Sequence, residues 1–451
     1  MEYQKHMHII GICGVATGAI AVAFKKAGWK VTGSDKGFFP PVSTELERHN
    51  IKFYAGWHPE NIGKPDIAIM GTASGTQNPE TAYIKDNNIP LYSFAEAIGK
   101  FFVKEYSIVS TGTWGKTSST ALLSYIFQYA KYNPTYMFGG ISLSHDSSAE
   151  LTDSKYSIFE GDEYKSSPTD NIPKFAYYNP THLLLSAISW DHADLYPTEQ
   201  SYFDVFKTLI SKTQFIVANK DNNKVRELVT KAIWYGSKDA DYNYSDVRQT
   251  KEGLDFKING LNIHSQLIGK FQAENITGCF AMASELGIDK DIIIKAIADF
   301  KGMKRRLEKR YDGDITVFDD IAHSPEKAFT VLNNLDEIYT GRIVAIFEPN
   351  IGGRSRESVA KYNNAFKNAD LVIIPRLTKL KISDNRPMEG DELAEEIKKT
   401  HNNVVYIEDD NNLVKFILEN TKKGDCVAFL GSHGFRGMIE ELIIYLRQLS
   451  Q

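Results

Sequence analysis

The chain has 451 residues, more than one hydrophobic core usually holds, since a domain takes about 100–200 residues. Hydrophobic residues make up 42% and charged residues 24%, as in ordinary globular proteins, and the net charge of −5 disfavours a chain-wide surface for nucleic acid or an acidic membrane. Cys13, Cys279 and Cys426 form neither a C-x-x-C pair nor a disulfide framework, so we expect buried, unreactive thiols. No apolar run approaches the roughly 18 residues of a membrane span and no signal-peptide layout is present, which favours a cytoplasmic protein.

Short apolar runs alternate with helical patterns through the first hundred residues. Strands are predicted at His8–Ile12 and Trp29–Gly33, with a helical pattern over Ala19–Ala27 between them. Further strands are predicted at Ile51–Tyr54 and Asp66–Met70. This rhythm of strand, turn and helix is typical of a parallel α/β sheet.

Glycines gather at the first strand-to-helix turn. Gly11, Gly14 and Gly18 follow the strand, and Ser34-Asp35 ends the next strand about twenty residues further on. Alone, this arrangement indicates a nucleotide site of Rossmann type, because backbone N–H groups at such a turn can approach a diphosphate. The spacing departs from G-x-G-x-x-G, so the kind of nucleotide is left open.

The sharpest motif opens a second α/β unit. Ser107–Thr111 is strand-like, Gly112–Thr117 reads G-T-W-G-K-T and forms a glycine-bearing turn, and Ser118–Ala130 has helical spacing. Backbone N–H groups of such a loop surround phosphate oxygens. Lys116 would reach the β- and γ-phosphates of ATP, and the Thr117 hydroxyl would bind Mg²⁺.

Apolar runs typical of buried parallel strands follow at Tyr156–Phe159, His182–Ile188 and Phe215–Ala218. Asp239–Ile263 instead alternates polar and apolar residues around turns at Glu252-Gly253 and Asn259-Gly260, which predicts a β-hairpin or a small antiparallel patch. A third unit begins at the basic segment Lys301–Arg310, a candidate hinge. Its predicted strands are Ile315–Phe318, Arg342–Phe347, Leu371–Ile374, Val404–Ile407 and Cys426–Leu430.

Six stretches occur in the order found in one enzyme family. They are Gly112–Thr117; Phe159–Tyr164, similar to an E-A-D-E segment; Trp190–Asp194, similar to D-H-x-D; Gly269–Asn275, similar to G-x-x-N-x-x-N; Arg305–Glu308, similar to R-R-F/L-E; and Asp319–Pro325, similar to D-D-Y-A-H-x-P. Together they extend over essentially the whole chain, which resembles the Mur ligase family.

The resemblance implies an α/β fold of three domains. A Rossmann-like N-terminal domain over 1–104 would bind a UDP-linked substrate, a central P-loop ATPase domain over 105–301 would bind ATP, and a C-terminal Rossmann-like domain over 302–451 would bind the amine and close on ATP. The implied enzyme is an ATP-dependent, amide-forming ligase with ATP and Mg²⁺ as cofactors.

The resemblance also implies the substrates. The lactyl carboxylate of UDP-N-acetylmuramate would be joined, through an acyl phosphate, to the amine of L-alanine or of L-Ala-γ-D-Glu-meso-diaminopimelate, in peptidoglycan synthesis or recycling. Neither a nucleic acid nor a membrane partner is expected, and the oligomeric state is open.

Residue roles follow from the resemblance as well. Lys116, Glu160 and His192 are expected to be catalytic. Thr117 is expected to bind the Mg²⁺ of the nucleotide and Glu160 a second Mg²⁺ between the γ-phosphate and the acceptor carboxylate, while His192 would orient the substrate or ligate that second ion. Asp162 and Glu163 are expected to be solvated or to support the ligands. In the family an arginine at the domain junction faces the nucleotide phosphates, so one of Arg305 and Arg306 is expected to do so. The expected ATP contacts are Gly112, Thr113, Gly115, Lys116, Thr117, Ser118, Gln272, Asn275, Arg305, Arg306, Asp320 and His323. The expected UDP contacts are Gly11, Gly14, Gly18, Ser34, Asp35, Thr72 and Ser74.

Two positions depart from the family's motifs. Ser186 stands where asparagine is usual, and Gln272 replaces the first asparagine of the G-x-x-N-x-x-N motif; both keep hydrogen-bonding capacity, so we expect altered detail and retained catalysis. The C-terminal loops also depart, and which of Arg354, Arg356 and Arg436 meets a carboxylate of the amine substrate is open.

Two alternatives come from other functional classes. A nicotinamide-dependent oxidoreductase would use the first glycine turn but would have no use for Gly112–Thr117. A non-catalytic ATP-binding protein on the same scaffold would need neither Glu160 nor His192.

Overall fold

The computed structural model describes residues 4–71, 77–167, 170–378 and 387–449. The chain folds into two compact units, the first comprising residues 1–247, 255–265 and 271–302 and the second comprising 248–254, 266–270 and 303–451. Both units are α/β, as the alternating strand and helix patterns predict.

The first sheet of the first unit is parallel. Its elements are β1 (His6–Ile10), α1 (Val15–Lys26), β2 (Lys30–Asp35), α2 (Val42–Arg48), β3 (Lys52–Ala55), α3 (Pro59–Ile62), β4 (Ile67–Met70), α4 (Pro79–Asp86), β5 (Leu91–Ser93) and α5 (Phe94–Phe101). Among described residues the strand order is β3-β2-β1-β4-β5. The order therefore reverses at β1, and the turn after β1 opens at the carboxyl edge of the sheet, where α/β proteins bind ligands.

The local sequence sets the helix starts. Asn78 accepts a hydrogen bond from the Glu80 backbone N–H ahead of α4, and Ser93 with Glu96 forms a capping box at the start of α5. α1 begins directly after Gly14, four residues earlier than the apolar pattern from Ala19 predicts.

The second sheet of the first unit contains the phosphate-loop motif. Its elements and the helices around it are β6 (Tyr106–Thr111), α6 (Lys116–Tyr129), β7 (Thr135–Met137), β8 (Ala149–Glu150), β9 (Tyr156–Gly161), β10 (Lys165–Ser167), β11 (Asp170–Pro173), β12 (His182–Leu185), α7 (Glu199–Lys212), β13 (Phe215–Asn219), α8 (Asn223–Leu228), β14 (Ile233–Gly236), β15 (Tyr242–Thr250), β16 (Gly253–Ile258), β17 (Leu261–Ser265), α9 (Phe271–Glu285) and α10 (Lys290–Asp299). In the described chain the order is β17-β16-β15-β14-β13-β12-β6-β9-β7-β8, while β10 and β11 pair separately.

The register of three parallel strands decides where the site forms. β6 lies between β9 and β12, and Thr111 is aligned with Gly161 on one side and Leu185 on the other. The segments that follow these strands therefore leave the same edge side by side. The predicted antiparallel patch is also present: β16 and β17 are joined by Asn259-Gly260, both with positive φ, as a tight hairpin turn requires.

The second unit is built on one further sheet. Its elements are β18 (Glu308–Asp312), β19 (Thr316–Asp320), α11 (Pro325–Asp336), β20 (Ile343–Glu348), β21 (Leu371–Pro375), α12 (Gly390–Lys398), β22 (Val404–Ile407), α13 (Asp410–Asn420), β23 (Cys426–Gly431) and α14 (Met438–Leu449). The described strands lie in the order β18-β19-β23-β20-β21-β22, and β18 is antiparallel to β19. The candidate hinge Lys301–Arg310 is in part this edge strand, where charged side chains remain half exposed.

The cores follow the apolar patterns. β20 and β23 are buried along their whole length, as strands covered on both faces by helices should be. Cys13, Cys279 and Cys426 are buried free thiols, as expected. Within the described ranges, no helix is both long and apolar enough to cross a membrane.

Candidate active site

The phosphate-loop turn joins β6 to α6 through two glycines that need their conformational freedom. Gly112 has φ of +136° and Gly115 has φ of +83°. A Cβ added at Gly115 would lie 2.6 Å from Asn275 Oδ1, and one at Gly112 would lie 2.6 Å from the Ala187 carbonyl oxygen. Neighbouring segments therefore approach this turn closely enough to exclude a side chain.

The segment after β12 holds the loop in place. The Thr113 N–H donates to the Ala187 carbonyl at 2.7 Å, and the Thr113 hydroxyl donates to the Ser189 carbonyl at 2.8 Å. Ser186 donates its hydroxyl to the Trp114 carbonyl at 2.6 Å. The serine that stands in place of the family's asparagine thus fixes the backbone of the phosphate loop.

Lys116, the first residue of α6, is paired with Glu163. Its ammonium lies 3.1 Å from Glu163 Oε1 and 2.9 Å from Oε2, and the Glu163 side chain is only 1% exposed. The Tyr202 hydroxyl also donates to Oε1, at 3.2 Å. Of the two expected possibilities for Glu163, the buried side chain fits support of a neighbouring functional residue and not solvation, because it lies against the lysine after β9 ends.

Thr117 and Glu160, the two side chains expected to bind Mg²⁺ ions, contact each other directly. The Thr117 hydroxyl donates to Glu160 Oε1 at 2.8 Å, and the Gly139 N–H donates to Oε2 at 2.6 Å. A hydroxyl and a carboxylate are the hard oxygen donors that Mg²⁺ prefers, so these two side chains fit the predicted cation.

His192 does not join Thr117 and Glu160 as the expected ligand set requires. It lies instead with Asp162 and Glu163, and ligand atoms of these three residues are within 4.8 Å of one another. Its Nε2 is 3.5 Å from Glu163 Oε1, and contact with Glu163 raises the pKa of His192. The difference arises because Glu160 is still on β9 and contacts Thr117 and Gly139, whereas residues 162–163 lie past the end of that strand.

Asp162 connects this edge to the first sheet through Lys174. The Lys174 ammonium is 2.6 Å from Asp162 Oδ2, and although burial opposes ionisation, this lysine lowers the pKa of Asp162. Lys174 also lines a cavity of about 440 Å³ at the glycine turn after β1. No sequence signal marked Lys174, which lies in a 3₁₀ turn outside every motif.

That cavity contains part of the expected UDP set. Gly11, Gly14 and Asp35 line it, together with Lys36 and aromatic side chains: Phe39, Trp57 and Phe94. Asp35 Oδ2 accepts from the Cys13 N–H at 2.8 Å, which fixes the turn.

Two expected UDP residues have packing or hydrogen-bonding roles away from the cavity lining. A Cβ at Gly18 would lie 3.2 Å from the Ile12 carbonyl oxygen and would meet Val42, so this glycine lets α1 pack closely. The buried Ser34 hydroxyl donates to Glu80. Thr72 and Ser74 lie outside the described residues.

The expected adenine-side residues lie at the start of α9. Gln272 and Asn275 are both buried, and the Asn275 amide donates to Gln272 Oε1 at 3.4 Å. Asn275 also contacts Gly115, which puts it at the phosphate loop, and Ser118 is half-buried in the first turn of α6.

In the second unit, Arg305 and Arg306 differ sharply. Arg305 donates to the Ser432 and His433 carbonyls at 3.2 and 2.8 Å and lies 3.4 Å from Asp319, whereas Arg306 is exposed with no ion pair among described residues. Asp320 accepts from the Leu307 N–H at 2.7 Å and so holds this turn.

His323 and the C-terminal arginines lie at the carboxyl ends of the same sheet. His323 Nδ1 contacts the Ile321 carbonyl at 2.7 Å. Arg354 is buried and donates to the Met388 and Thr378 carbonyls, whereas Arg356 is exposed. Arg436 makes a two-point contact with Asp410 at 2.8 and 2.9 Å and lies 3.4 Å from the buried Glu348.

Comparison with known proteins decides the family. Models for the Mur ligase family catalytic domain, the Mur ligase middle domain and the Mur ligase glutamate ligase domain match residues 6–106, 111–283 and 305–433 in that order. A relative from Haemophilus influenzae, a UDP-N-acetylmuramate–L-alanyl-γ-D-glutamyl-meso-2,6-diaminoheptandioate ligase, is 30% identical over 77% of this chain and 80% of its own length. The chain belongs to the Mur ligase family. It is therefore an ATP-dependent enzyme that forms amide bonds.

Other Mur ligases extend the similarity to the full length. The UDP-N-acetylmuramate–L-alanine ligase of Persephonella marina is 28% identical over 98% of this chain and 97% of its own. The crystal structure of the UDP-N-acetylmuramate-alanine ligase of Thermotoga maritima shares the fold, with a TM-score of 0.82 at 21% identity over 99% of this chain and 100% of that one. A murein peptide ligase from Psychrobacter arcticus has a TM-score of 0.68 at 23% identity, with 98% of each chain covered. Both structures support the three-domain α/β architecture.

Proposed function

We propose that this Mur ligase joins the lactyl carboxylate of UDP-N-acetylmuramate to the amine of L-alanine or of an L-alanyl peptide in the cytoplasm, where ATP and UDP-linked sugars are available. The proposal is carried by one observation: Lys116, Thr117 and Glu160 converge at the carboxyl edge of one sheet, at the start of a helix whose N-terminus has no side-chain cap in the described structure. Domain boundaries at 104/105 and 301/302 are part of the proposal, and the positions of the three family models support them.

The chemistry proceeds in two substitutions. A carboxylate oxygen attacks the γ-phosphorus of ATP, the bond to the β-phosphate oxygen breaks, and ADP leaves. The amine nitrogen then attacks the acyl carbon, loses a proton, and inorganic phosphate leaves. The protein's main contribution to such a transfer is positioning and charge neutralisation.

Residue roles follow from the geometry. Lys116 neutralises the β- and γ-phosphates, and the turn around Gly112, Thr113, Gly115 and Ser118 surrounds them with donors. Thr117 and Glu160 would hold Mg²⁺, which when bound reduces the negative charge that the two anionic reactants bring together. His192 orients the substrate carboxylate. Gln272 and Asn275 extend the nucleotide site of the first unit, and Asp320 and His323 stay predicted ATP contacts of the second.

The arginine and cavity assignments also become more specific. We assign the phosphate-facing role to Arg306, since Arg305 is engaged with backbone carbonyls. The UDP group is assigned to the cavity at Gly11, Gly14 and Asp35. An oxidoreductase would have no use for the phosphate loop, and a non-catalytic binder would have none for Glu160.

Phosphate release from ATP and Mg²⁺ in the presence of UDP-N-acetylmuramate tests the proposal. L-Alanine and L-Ala-γ-D-Glu-meso-diaminopimelate are compared as amines, with Lys116→Ala as the inactive control. Release that needs one of these amines and is lost in the control supports the reaction and names the substrate. If neither amine elicits phosphate release from folded protein that binds ATP, the proposed reaction is refuted, and the protein either uses a different acid or amine or is a non-catalytic ATP binder.

A further inference from the structure

We propose that Glu163 is a positioning residue that holds Lys116 and His192 on one buried carboxylate, so that ATP phosphates must compete with Glu163 for Lys116. The proposal rests on the proposed function in one respect, the binding of ATP phosphates by Lys116. It adds a residue to which the family motifs assign no such part in this chain.

The ion pair is enclosed and made through both carboxylate oxygens. Glu163 is 1% exposed and Lys116 is 14% exposed, and the two contacts measure 2.9 and 3.1 Å. Solvent screening, which makes surface ion pairs weak, is largely absent here. Lys116 therefore has an internal anion at the position from which it would bind phosphates.

The carboxylate keeps other partners when Lys116 turns away. The Tyr202 hydroxyl donates to Oε1 at 3.2 Å, and His192 Nε2 lies 3.5 Å from the same oxygen. The Tyr196 hydroxyl donates to the Glu163 backbone carbonyl at 2.5 Å and fixes the segment. An unpaired buried carboxylate would be strongly unfavourable, so these partners make the exchange of Lys116 from Glu163 to phosphate accessible.

The contact between His192 Nε2 and Glu163 also determines which ring nitrogen of His192 can face the substrate. Because Nε2 faces Glu163, Nδ1 is the ring nitrogen that His192 can turn to the acid substrate. Glu163 thereby positions both Lys116, which would contact ATP, and His192, which would contact the acid substrate.

The test uses Glu163→Gln in the full-length protein, with ATP binding measured by calorimetry both with Mg²⁺ and with EDTA. Removing the competing charge should tighten ATP binding about tenfold under both conditions, as expected for one enclosed charged hydrogen bond. Turnover should fall about tenfold or more, because Lys116 and His192 lose their anchor, while KM for the acid substrate stays unchanged. Glu150→Gln is the matched control; Glu150 is on β8 and accepts from Gln128 at 3.1 Å.

Two further variants separate positioning from general structure. In a Lys116→Ala background, Glu163→Gln should no longer change ATP affinity, since its effect passes through the lysine. Tyr202→Phe should act in the opposite direction, weakening ATP binding about two- to threefold, because Glu163 then depends more on Lys116. Tyr202→Phe also removes the 3.3 Å contact between the Tyr202 and Thr113 hydroxyls, although both Thr113–Ser189 hydrogen bonds remain. It is therefore also measured in the Lys116→Ala background, where an effect that passes through Glu163 and Lys116 should disappear, and it keeps the idea testable if Glu163→Gln does not fold.

The outcomes are distinct. Wild-type protein that binds no ATP refutes the proposed function. Wild-type binding together with unchanged or weaker binding by folded Glu163→Gln refutes the positioning role alone. Weaker binding by Glu163→Gln only when Mg²⁺ is present would make Glu163 a metal ligand and would also overturn the proposal.

Discussion

The turns after β1 and β6 share a local architecture and differ in their electrostatics. In each, a glycine precedes the helix, Gly14 in one and Gly115 in the other, and neither helix has a side-chain cap in the described structure. Both therefore leave backbone N–H groups available to an anion. The second turn carries its own cation, Lys116, whereas the first has Val15 at that position and receives Lys36 and Lys174 from elsewhere.

The comparison shows two ways to build an anion site. Around β6 the glycines, the lysine and the hydroxyl follow one another in the chain, so the site can be recognised in a short motif. Around β1 the glycines are local but the charges are brought in by folding. Such a site is adaptable in its ligand and difficult to see in a sequence.

Loss of the Lys116 ammonium should give the largest decrease in turnover. Lys116→Ala is expected to lower amide-forming turnover about a thousandfold, as removal of one aligned charge at a reacting phosphoryl group does. Single-turnover ADP formation measures it, with Lys212→Ala, an exposed residue at the end of α7, as control. A decrease below about tenfold would mean that phosphate neutralisation does not depend on this lysine.

The next-largest effect is expected when the glycine that precedes each helix is replaced by alanine, because the two turns should respond differently. Gly115→Ala places a Cβ 2.6 Å from Asn275 Oδ1 at φ of +83°, which costs about 1–3 kcal/mol and should weaken ATP binding at least about tenfold. Gly14→Ala, at φ of −67°, meets only the Thr17 hydroxyl, so its thermal stability should fall less and its ATP affinity should not change. Calorimetry measures the ATP affinity of both variants, and thermal unfolding measures their stability. Equal losses of ATP affinity would contradict the assignment of ATP to the turn after β6 alone.

Removal of the Lys174 ammonium, which folding brings to the cavity after β1, is expected to weaken binding of UDP-N-acetylmuramate and not of ATP. Lys174→Met should raise KM for UDP-N-acetylmuramate about tenfold, the value of one charged hydrogen bond, while KM for ATP stays within about twofold. Lys174→Arg keeps the charge and should restore most of the affinity. A double variant with Asp162→Asn is the decisive control, because a rise in KM that disappears there comes from the unpaired Asp162 and not from a lost substrate contact.

The smallest effect is expected at Ser186, whose hydroxyl holds the backbone of the phosphate loop. Ser186→Ala removes the hydrogen bond to the Trp114 carbonyl and should weaken ATP binding about three- to fivefold. Ser186→Asn introduces the family's usual residue and should keep the affinity near that of the wild type. Titration of ATP against both variants measures the difference; equal affinity of Ser186→Ala and wild type would show that the loop holds its shape without this bond.

Much of the fold follows from patterns in the sequence. Buried parallel strands such as β20 and β23 are continuous apolar runs, and the Asn259-Gly260 turn predicts a hairpin, because both signals depend on neighbouring residues only. The contact of Thr117 with Glu160 could not be read from the sequence, because it depends on β6 and β9 being parallel neighbours whose carboxyl ends share an edge.

The parts that could not be predicted depend on distance or on burial. The sequence left open whether Glu163 is solvated or supports a neighbouring side chain, because its inward direction depends on the turn after β9 and on Tyr202, which lies 39 positions away. Gly18 and Ser34 belong to the glycine-turn pattern, yet one packs α1 and the other binds Glu80, because a small residue serves close packing as well as ligand approach. Lys174 reaches the first cavity only because the two sheets of the first unit lie together.

Two of the five tryptophans, Trp114 and Trp57, are placed to report on the two proposed binding sites. Trp114 is 54% exposed at the tip of the phosphate loop, and Trp57 lines the cavity beside the first glycine turn. A nucleotide that settles on the loop alters the polarity around the first indole, and a uridine or sugar in the cavity alters it around the second. With Trp114→Phe and Trp57→Phe as a pair, intrinsic fluorescence can follow the order in which the two substrates arrive, without a label and on the timescale of mixing.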